Sequence, residues 1–291
     1  METIKPVPVE IAKENKGILK VKETLKNGGW AFFDVDGTLE DTNGIPIDLN
    51  TYLQLLISNG VELGISTGRC QTDLIRFFSK VGDSYRQLFK GWLFLEDSHV
   101  TVEPGNSINE AAILTDPKTL QEMEMFEKLF TSSWLPSEAL PGWGFLKNLP
   151  APPVKLPQYP HYGTVAIWEK GPYESPEYGL MMVWALNAAR QLGIETIEFL
   201  ETGDGSLRLL QKGINKGTGL KTLVERGIID LSRTVYFGDA NNDISAAEIV
   251  SNGGGAVVAL ANATRGFKNV STHVTSHPAG LGVIEVVKQL Y

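Results

Sequence analysis

The chain has 291 residues, 42% of them apolar, and a formal net charge of −8. That apolar share supports a sizeable core, spread over about two domains. The acidic balance excludes a general attraction to nucleic acid or to anionic membrane surfaces.

The single cysteine, Cys70, excludes an internal disulfide and a paired-cysteine metal site. The first twenty residues lack the apolar stretch of a signal peptide, and no apolar run approaches the ~18 residues of a membrane span. The expected setting is therefore cytoplasmic. The triplets starting at Asn262 and Asn269 match the glycosylation pattern, which needs a secretory route to matter.

Residues 1–29 form a polar extension in which Ile18, Val21 and Leu25 have helical spacing. From Trp30 the chain alternates strand and helix. Trp30 to Asp34 is an apolar run ending in charge, as in a buried parallel strand. A helix follows, capped by Asp48 and stopped at Gly60, then a strand over 61–66. A further helix presents Leu74, Ile75, Phe78 and Val81, and Trp92 to Leu95 is another strand. This alternation predicts an α/β fold on a parallel sheet.

Residues 107–203 break the rhythm and read as an inserted α+β cap. Asp116 and Pro117 open a helix there. Residues 134–162 are rich in proline and aromatics, and 163–168 reads as a strand. A helix over 175–192 and strands at 194–200 and 206–210 complete the pattern, joined by a turn at 203–205. The core resumes at 204–291, with helices at 216–226, 243–250 and 281–290 and strands at 234–237 and 256–260. The core is thus 30–106 with 204–291, and the cap 107–203.

Four segments carry the chemistry, and each falls where a strand ends or a helix begins. Asp34-Val35-Asp36-Gly37-Thr38 places two carboxylates two residues apart at a strand end. Such a site attracts a hard cation, and a carboxylate can attack phosphorus. Taken alone, the segment also fits a solvated turn. Ser66-Thr67-Gly68-Arg69 offers a hydroxyl and backbone N–H groups at a helix start, a place for an anion or simply a cap. Lys216 opens a helix against its dipole, which suggests an anionic partner. Gly238-Asp239-Ala240-Asn241-Asn242-Asp243 adds two more carboxylates at a strand end, one of which can cap the next helix. In open parallel sheets that edge forms the ligand crevice. Phosphate monoester hydrolysis requires acceleration of up to about 10²¹-fold. It therefore needs a nucleophile, a proton carrier, a metal and donors for the phosphoryl oxygens together.

In their order, these segments resemble the four motifs of the haloacid dehalogenase superfamily. The large insert between the second and third resembles the cap of its Cof-type branch, which includes sucrose-phosphate phosphatase-like and mannosyl-phosphoglycerate phosphatase-like enzymes. The resemblance covers residues 30–290. It implies a HAD-like Rossmannoid core and a phosphatase acting on a small phosphorylated metabolite, with a sugar phosphate as the expected substrate.

The resemblance also implies roles for single residues. Asp34 is the nucleophile and Asp36 the proton carrier. Thr67 and Gly68 hold phosphoryl oxygens, and Lys216 neutralises charge on the phosphoryl group and Asp34. Mg²⁺ binds Asp34, the Asp36 main-chain carbonyl and Asp239, while Asn242 and Asp243 orient the site. Between the two nearby lysines Lys212 and Lys216, the helix start favours Lys216. The family's Asn-Gly turn after the third strand is replaced by Glu96-Asp97-Ser98-His99, which puts the turn geometry there in question.

Two rivals remain open: a sugar phosphomutase or other phosphotransferase, which begins from the same aspartyl-phosphate, and a regulator that binds without turnover. The cap aromatics Trp134, Trp143, Tyr159, His161, Tyr162 and Trp168 fit either a sugar platform or cap core. No protein partner is inferable. His273 and His277 lie four apart in strand-like sequence and do not form a zinc pair.

Overall fold

The computed structural model describes residues 9–132, 164–168, 185–186, 189–201 and 206–291. Its larger sheet has eight strands. β1 (Gly29–Phe33), β2 (Val61–Ser66) and β3 (Leu93–Leu95) lie side by side and parallel. β4 (Val100–Val102) and β5 (Ala112–Ile113) continue that side antiparallel. After the insert, β9 (Thr234–Gly238), β10 (Ala256–Ala259) and β11 (His273–Val274) extend the sheet in parallel on the other side of β1. The order is β11-β10-β9-β1-β2-β3-β4-β5. The direction of winding reverses between β1 and β9, the kind of place where an open α/β sheet leaves a crevice at its carboxyl ends.

Side chains alternate across the strands, so each sheet face carries its own core. Ala31, Phe33, Val235, Phe237 and Val258 face α2 (Leu49–Ser58), α3 (Gln71–Val81) and α9 (Ala279–Leu290), packing with Leu53, Phe77 and Val283. Phe32, Phe94, Tyr236 and Val257 face α6 (Lys216–Glu225), α7 (Ile244–Asn252) and α8 (Arg265–Val270), meeting Leu223, Val250 and Phe267. The short helix α4 (Asp83–Leu88) packs beside α3.

Most expected core elements are present within a residue or two. The short strands β4 and β5 and the helix α8 had no signal in the apolar pattern. The N-terminal extension contains α1 (Val9–Leu25), whose Val21 and Leu25 are buried in the first core. The helically spaced Ile18, Val21 and Leu25 thus pack on the core. Asp48 precedes α2 but makes no side-chain capping bond.

A separate antiparallel sheet has the order β6-β8-β7, formed by β6 (Thr164–Trp168), β7 (Ile197–Glu201) and β8 (Ser206–Gln211). With α5 (Pro117–Ser132) it makes up the described part of the insert. β5 at 112–113 belongs to the large sheet and β8 at 206–211 to the small one. β5 pairs back onto β4, and β8 is the central strand of the cap sheet, neither of which shows in composition. The aromatic stretch 134–162, the 203–205 turn and most of the 175–192 helix lie outside the described residues.

Candidate active site

The site starts from backbone register. Phe33 of β1 pairs with Phe237 of β9 and with Ile65 of β2. The residues that follow therefore leave three neighbouring strands together: Asp34, Gly238-Asp239 and Ser66-Thr67. The Asp34 N–H donates to the Phe237 carbonyl at 3.0 Å, which locks this junction.

Lys216 is the hub. Asn215 caps α6 by accepting from the Gly217 N–H at 3.0 Å, and Thr218 completes the capping box. This aims Lys216 inward, where it is 1% exposed. Its Nζ donates to Asp34 Oδ1 and to Asp243 Oδ1, each at 2.7 Å. Burial works against the ammonium charge, but Asp243 and Asp34 outweigh it and hold the lysine pKa above its ordinary value. Lys212, by contrast, is exposed.

Asp243 is fully committed. Its Oδ1 also accepts from the Tyr236 hydroxyl at 2.7 Å, and its Oδ2 accepts from the N–H groups of Asp239 and Ala240 at 3.1 and 3.0 Å. Four bonds occupy a carboxylate's acceptor sites. Asp34, Asp239 and Asp243 offer oxygens that all lie within 4.8 Å of one another, a grouping that could hold a metal ion. The saturation of Asp243 leaves Asp34 and Asp239 as the two carboxylates with capacity for a cation. Mg²⁺ takes one or two carboxylates in just such oxygen sites.

The electrostatics fit the same assignment. Burial raises the pKa of both Asp34 and Asp239; Asp243 adds to the rise in both, and Asp34 adds to that of Asp239. Two buried carboxylates that resist ionisation together are relieved by a divalent ion. Asp239 is steadied by Thr38 Oγ1 at 3.3 Å and Asn262 Nδ2 at 3.2 Å. Gly37 (φ +75°) passes so close that a Cβ there would fall 2.1 Å from Asp239 Oδ2. Glycine serves both the left-handed turn and the approach.

Asp36 does not join that cluster. Its side chain is 64% exposed and turned to Arg69, which donates from Nε at 2.9 Å and from Nη2 at 2.5 Å. Arg69 also bonds Glu40 at 2.8 Å. Desolvation works to raise the Asp36 pKa, but the Arg69 bonds and charge override it, so its carboxyl is held below the usual value.

Thr67 is buried, and its Oγ1 accepts from the Arg69 N–H at 3.2 Å, which shapes the loop around Gly68. Asn242 is 6% exposed. Its Nδ2 donates to Asp97 Oδ1 at 3.1 Å, and its Oδ1 has no partner among the described residues. A cavity of about 470 Å³ is lined by residues that include Asp34, Asp36, Gly68, Arg69, Asp239 and Asn242. The sequence-derived residues thus surround one cavity or lie directly behind its wall.

Several residues here escaped the sequence reading: Arg69 and Thr38, present in the motifs but given no role, and Tyr236, Asn262, Asp97 and Arg208. The Glu96-Asp97-Ser98-His99 segment answers the turn question raised above. Glu96, Asp97 and Ser98 all adopt left-handed backbone, with φ of 50°, 54° and 77°. Each such residue stores of order 1–3 kcal/mol of strain. The turn is held by N–H bonds from Glu96 to Arg69 O and from Asp97 to Thr67 O, both 3.0 Å. Ser98 Oγ bridges the Lys216 carbonyl and the Gly219 N–H at 3.2 and 3.3 Å. The turn therefore forms without glycine and carries Asp97 to the cavity wall.

A family profile described as haloacid dehalogenase-like hydrolase matches residues 31–125 and 186–287. A phosphoglycolate phosphatase of Methanopyrus kandleri is 26% identical over 258 residues, covering 88% of this chain and 94% of that protein. Against protein MG265 of Mycoplasma genitalium the identity is 34% over 90 residues, and the match spans only 31% of that relative's length. Among solved structures, the subclass IIB sugar phosphatase BT4131 superposes with a TM-score of 0.59 at 20% identity. That match covers 89% of this chain and 96% of BT4131. No described helix is long and apolar enough to cross a membrane. With the profile spanning both halves of the core, this chain belongs to the haloacid dehalogenase-like hydrolases and is a phosphatase.

Proposed function

We propose that this phosphatase hydrolyses the phosphate ester of a small metabolite, in the first instance a sugar phosphate, with Asp34 as nucleophile and Mg²⁺ as cofactor. The observation that carries this reading is the buried Lys216 bridge between Asp34 and Asp243, beside Asp239. The bridge fixes one oxygen of Asp34 and leaves the other for phosphorus. A protein that only binds phosphate has no use for a carboxylate held this way.

The reaction runs in two displacements. The free Asp34 oxygen bonds to phosphorus while the ester P–O bond breaks, and the departing oxygen takes the proton of the Asp36 carboxyl. Water then bonds to the same phosphorus and gives a proton to the Asp36 carboxylate. The Asp34–phosphorus bond breaks and inorganic phosphate is released. Asp36 is held ionised by Arg69 beforehand; an arriving phosphate dianion raises its proton affinity by like-charge repulsion, so that Asp36 takes up from solvent the proton it then gives to the leaving oxygen.

Thr67 and the Gly68 N–H cradle the phosphoryl oxygens, Lys216 balances their charge, and Asn242 and Asp243 hold the surroundings in place. Asp34, Asp239 and the Asp36 carbonyl hold Mg²⁺, which when bound supplies a template and a charge clamp for the phosphoryl group. The inserted cap covers the leaving-group side and selects among substrates. The sugar assignment draws on the insert itself and on the likeness in fold to the sugar phosphatase BT4131.

The test is a screen of phosphorylated metabolites for released phosphate, with and without Mg²⁺, alongside Asp34→Asn. The screen includes sucrose phosphate and mannosyl-phosphoglycerate, which address the finer branch. Release that needs both Mg²⁺ and Asp34 supports the reading. Activity within tenfold of wild type in Asp34→Asn, or undiminished after chelation, overturns it. An isomerised sugar phosphate in place of free phosphate would make the protein a mutase.

A further inference from the structure

The triplet Asn262-Ala263-Thr264 has no part in the chemistry proposed above. It follows β10, the strand beside β9, and both of its polar residues turn to the loop that carries Asp239. Asn262 Nδ2 donates to Asp239 Oδ2 at 3.2 Å and to the Gly37 carbonyl at 2.9 Å. The Thr264 N–H donates to the Asp239 carbonyl at 2.7 Å, and its Oγ1 donates to Asn241 Oδ1 at 2.8 Å.

The other end of the Asn262 amide decides its orientation. Its Oδ1 accepts from the Ala279 N–H at 2.9 Å. A backbone N–H can pair only with the amide oxygen, which leaves the NH₂ group for Gly37 and Asp239. Ala279 opens α9 in left-handed backbone, with φ of 44°. A residue with a Cβ keeps that conformation only where its surroundings impose it. Here the neighbouring Gly280 is wedged against the loop after Asp36. A Cβ on it would fall 2.9 Å from the Leu39 carbonyl oxygen and 2.7 Å from Pro46 Cδ. The start of the last helix is thus pressed onto the segment that follows Asp36.

Stability alone gives little reason for this convergence. Asn262 is exposed, and hydrogen bonds that water can replace contribute little net stability. What the three bonds do is geometric. They tie the Asp239 carboxylate, the Gly37 turn and the start of α9 to one planar group. Asp34 and Asp239 repel each other when both are ionised, so Asp239 needs a donor to hold it near its neighbour.

We infer that Asn262 is a positioning residue of the Mg²⁺ site, fastening Asp239 to the Gly37 turn and both to the start of α9 before the cation arrives. This rests on the phosphatase reading above, in which Asp34, Asp239 and the Asp36 carbonyl hold Mg²⁺. Removing a hydrogen-bond partner from behind a metal ligand weakens metal binding by about 10–100-fold.

The experiment is a calorimetric titration of Mg²⁺ alone into the full-length protein, without substrate. Asn262→Ala should raise the Mg²⁺ dissociation constant about tenfold or more. The Mg²⁺ concentration for half-maximal hydrolysis of an aryl phosphate should rise with it. Thr264→Val is the structural control. It removes the hydroxyl that bonds Asn241 and caps α8, but keeps the N–H on the Asp239 carbonyl. Loss of the cap should lower the melting temperature, while the Mg²⁺ dissociation constant stays within about threefold. An unchanged constant in Asn262→Ala, or an equal rise in both variants, overturns the inference.

Asp239→Asn separates the two possible failures. If it weakens Mg²⁺ binding and Asn262→Ala does not, only this inference falls. If neither does, the Mg²⁺ reading of the site falls with it. Should Asn262→Ala fail to fold, wild type decides. Mg²⁺ should slow hydrogen exchange of the Ala279 amide about threefold or more relative to amides at the far end of α9, because the bond it donates is steadied through Asp239. Equal slowing along α9, or none, overturns the inference.

Discussion

The floor and the rim of the cavity are built on opposite terms. On the floor, Asp34, Lys216, Asp243 and Tyr236 are all almost fully buried and joined by 2.7 Å bonds. At the rim, Asp36 is largely exposed and paired with Arg69, and Arg208 arrives from another sheet. Buried charges cannot exchange partners without leaving a charge unpaired, so the floor is fixed before any ligand arrives. Rim charges can turn to water or to substrate at small cost. In the proposed reaction the constant part, the phosphoryl group, would fall to the floor, and the variable part, the leaving group, to the rim.

The sharpest way to break this contrast is at Lys216. Lys216→Met strands Asp34 and Asp243, and should lower kcat by about 10³-fold or more while costing roughly 3–5 kcal/mol of stability. Lys212→Ala, at an exposed position near the site, should leave kcat within about threefold. Steady-state rates and thermal melts of both variants decide this, and the reverse order would move the hub of the site.

Next in size is the division between the two carboxylates after β9. Asp239→Asn should raise the Mg²⁺ concentration for half-maximal activity by at least about tenfold. Asp243→Asn should act chiefly on melting temperature, since its carboxylate holds backbone, tyrosine and lysine. A Mg²⁺ titration in which Asp243→Asn shifts more than Asp239→Asn would make Asp243 the ligand.

The floor also predicts a link between pH and metal. In the metal-free folded state Asp34 and Asp239 bind protons more tightly than the ordinary carboxylate value of 3.8 allows. The folded state then holds more protons than the unfolded one, so stability falls as pH rises above that value and on through neutrality. In the proposed site Mg²⁺ would bind the ionised pair and oppose the loss. The increase in melting temperature on adding Mg²⁺ should therefore be larger at pH 8 than at pH 5.5. An equal or reversed increment would show that the pair does not hold the ion.

The smallest effect belongs to the rim. Arg69 lowers the Asp36 pKa, and Arg69→Met removes that influence. A proton carrier with a higher pKa stays protonated to higher pH, so the alkaline limb of kcat/KM for an alkyl phosphate should move upward. An aryl phosphate, whose leaving group needs little protonation, should show less movement. Equal movement for both would separate Asp36 from the leaving-group proton.

The contrast also explains what could be read in advance. The floor residues Asp34, Lys216, Asp239 and Asp243 come from strand ends and a helix start, where short-range spacing fixes both identity and direction. Arg208 could not be read this way. It lies in an apolar strand segment of a different sheet, and only the pairing of β8 with β6 and β7 aims it at Gly68. Asp97 was visible as a departure from an Asn-Gly turn, but three successive left-handed residues run against local preference, and tertiary bonds sustain them. Asn262 looked like a glycosylation triplet, yet its amide joins Gly37 and Asp239 across 225 and 23 positions.

The sequence by itself determined the alternating α/β core, the interruption between its halves and the four segments at its carboxyl edge. These follow from apolar periodicity and turn chemistry, which act over a few residues. Only the tertiary structure decided that Asp243 is saturated while Asp239 is not, that Asp36 turns to Arg69, and that the strand at 206–211 joins the small sheet and brings Arg208 to the cavity. Those outcomes depend on which distant groups share a buried space. There each hydrogen bond made by one residue removes an option from another, and no local pattern encodes that competition.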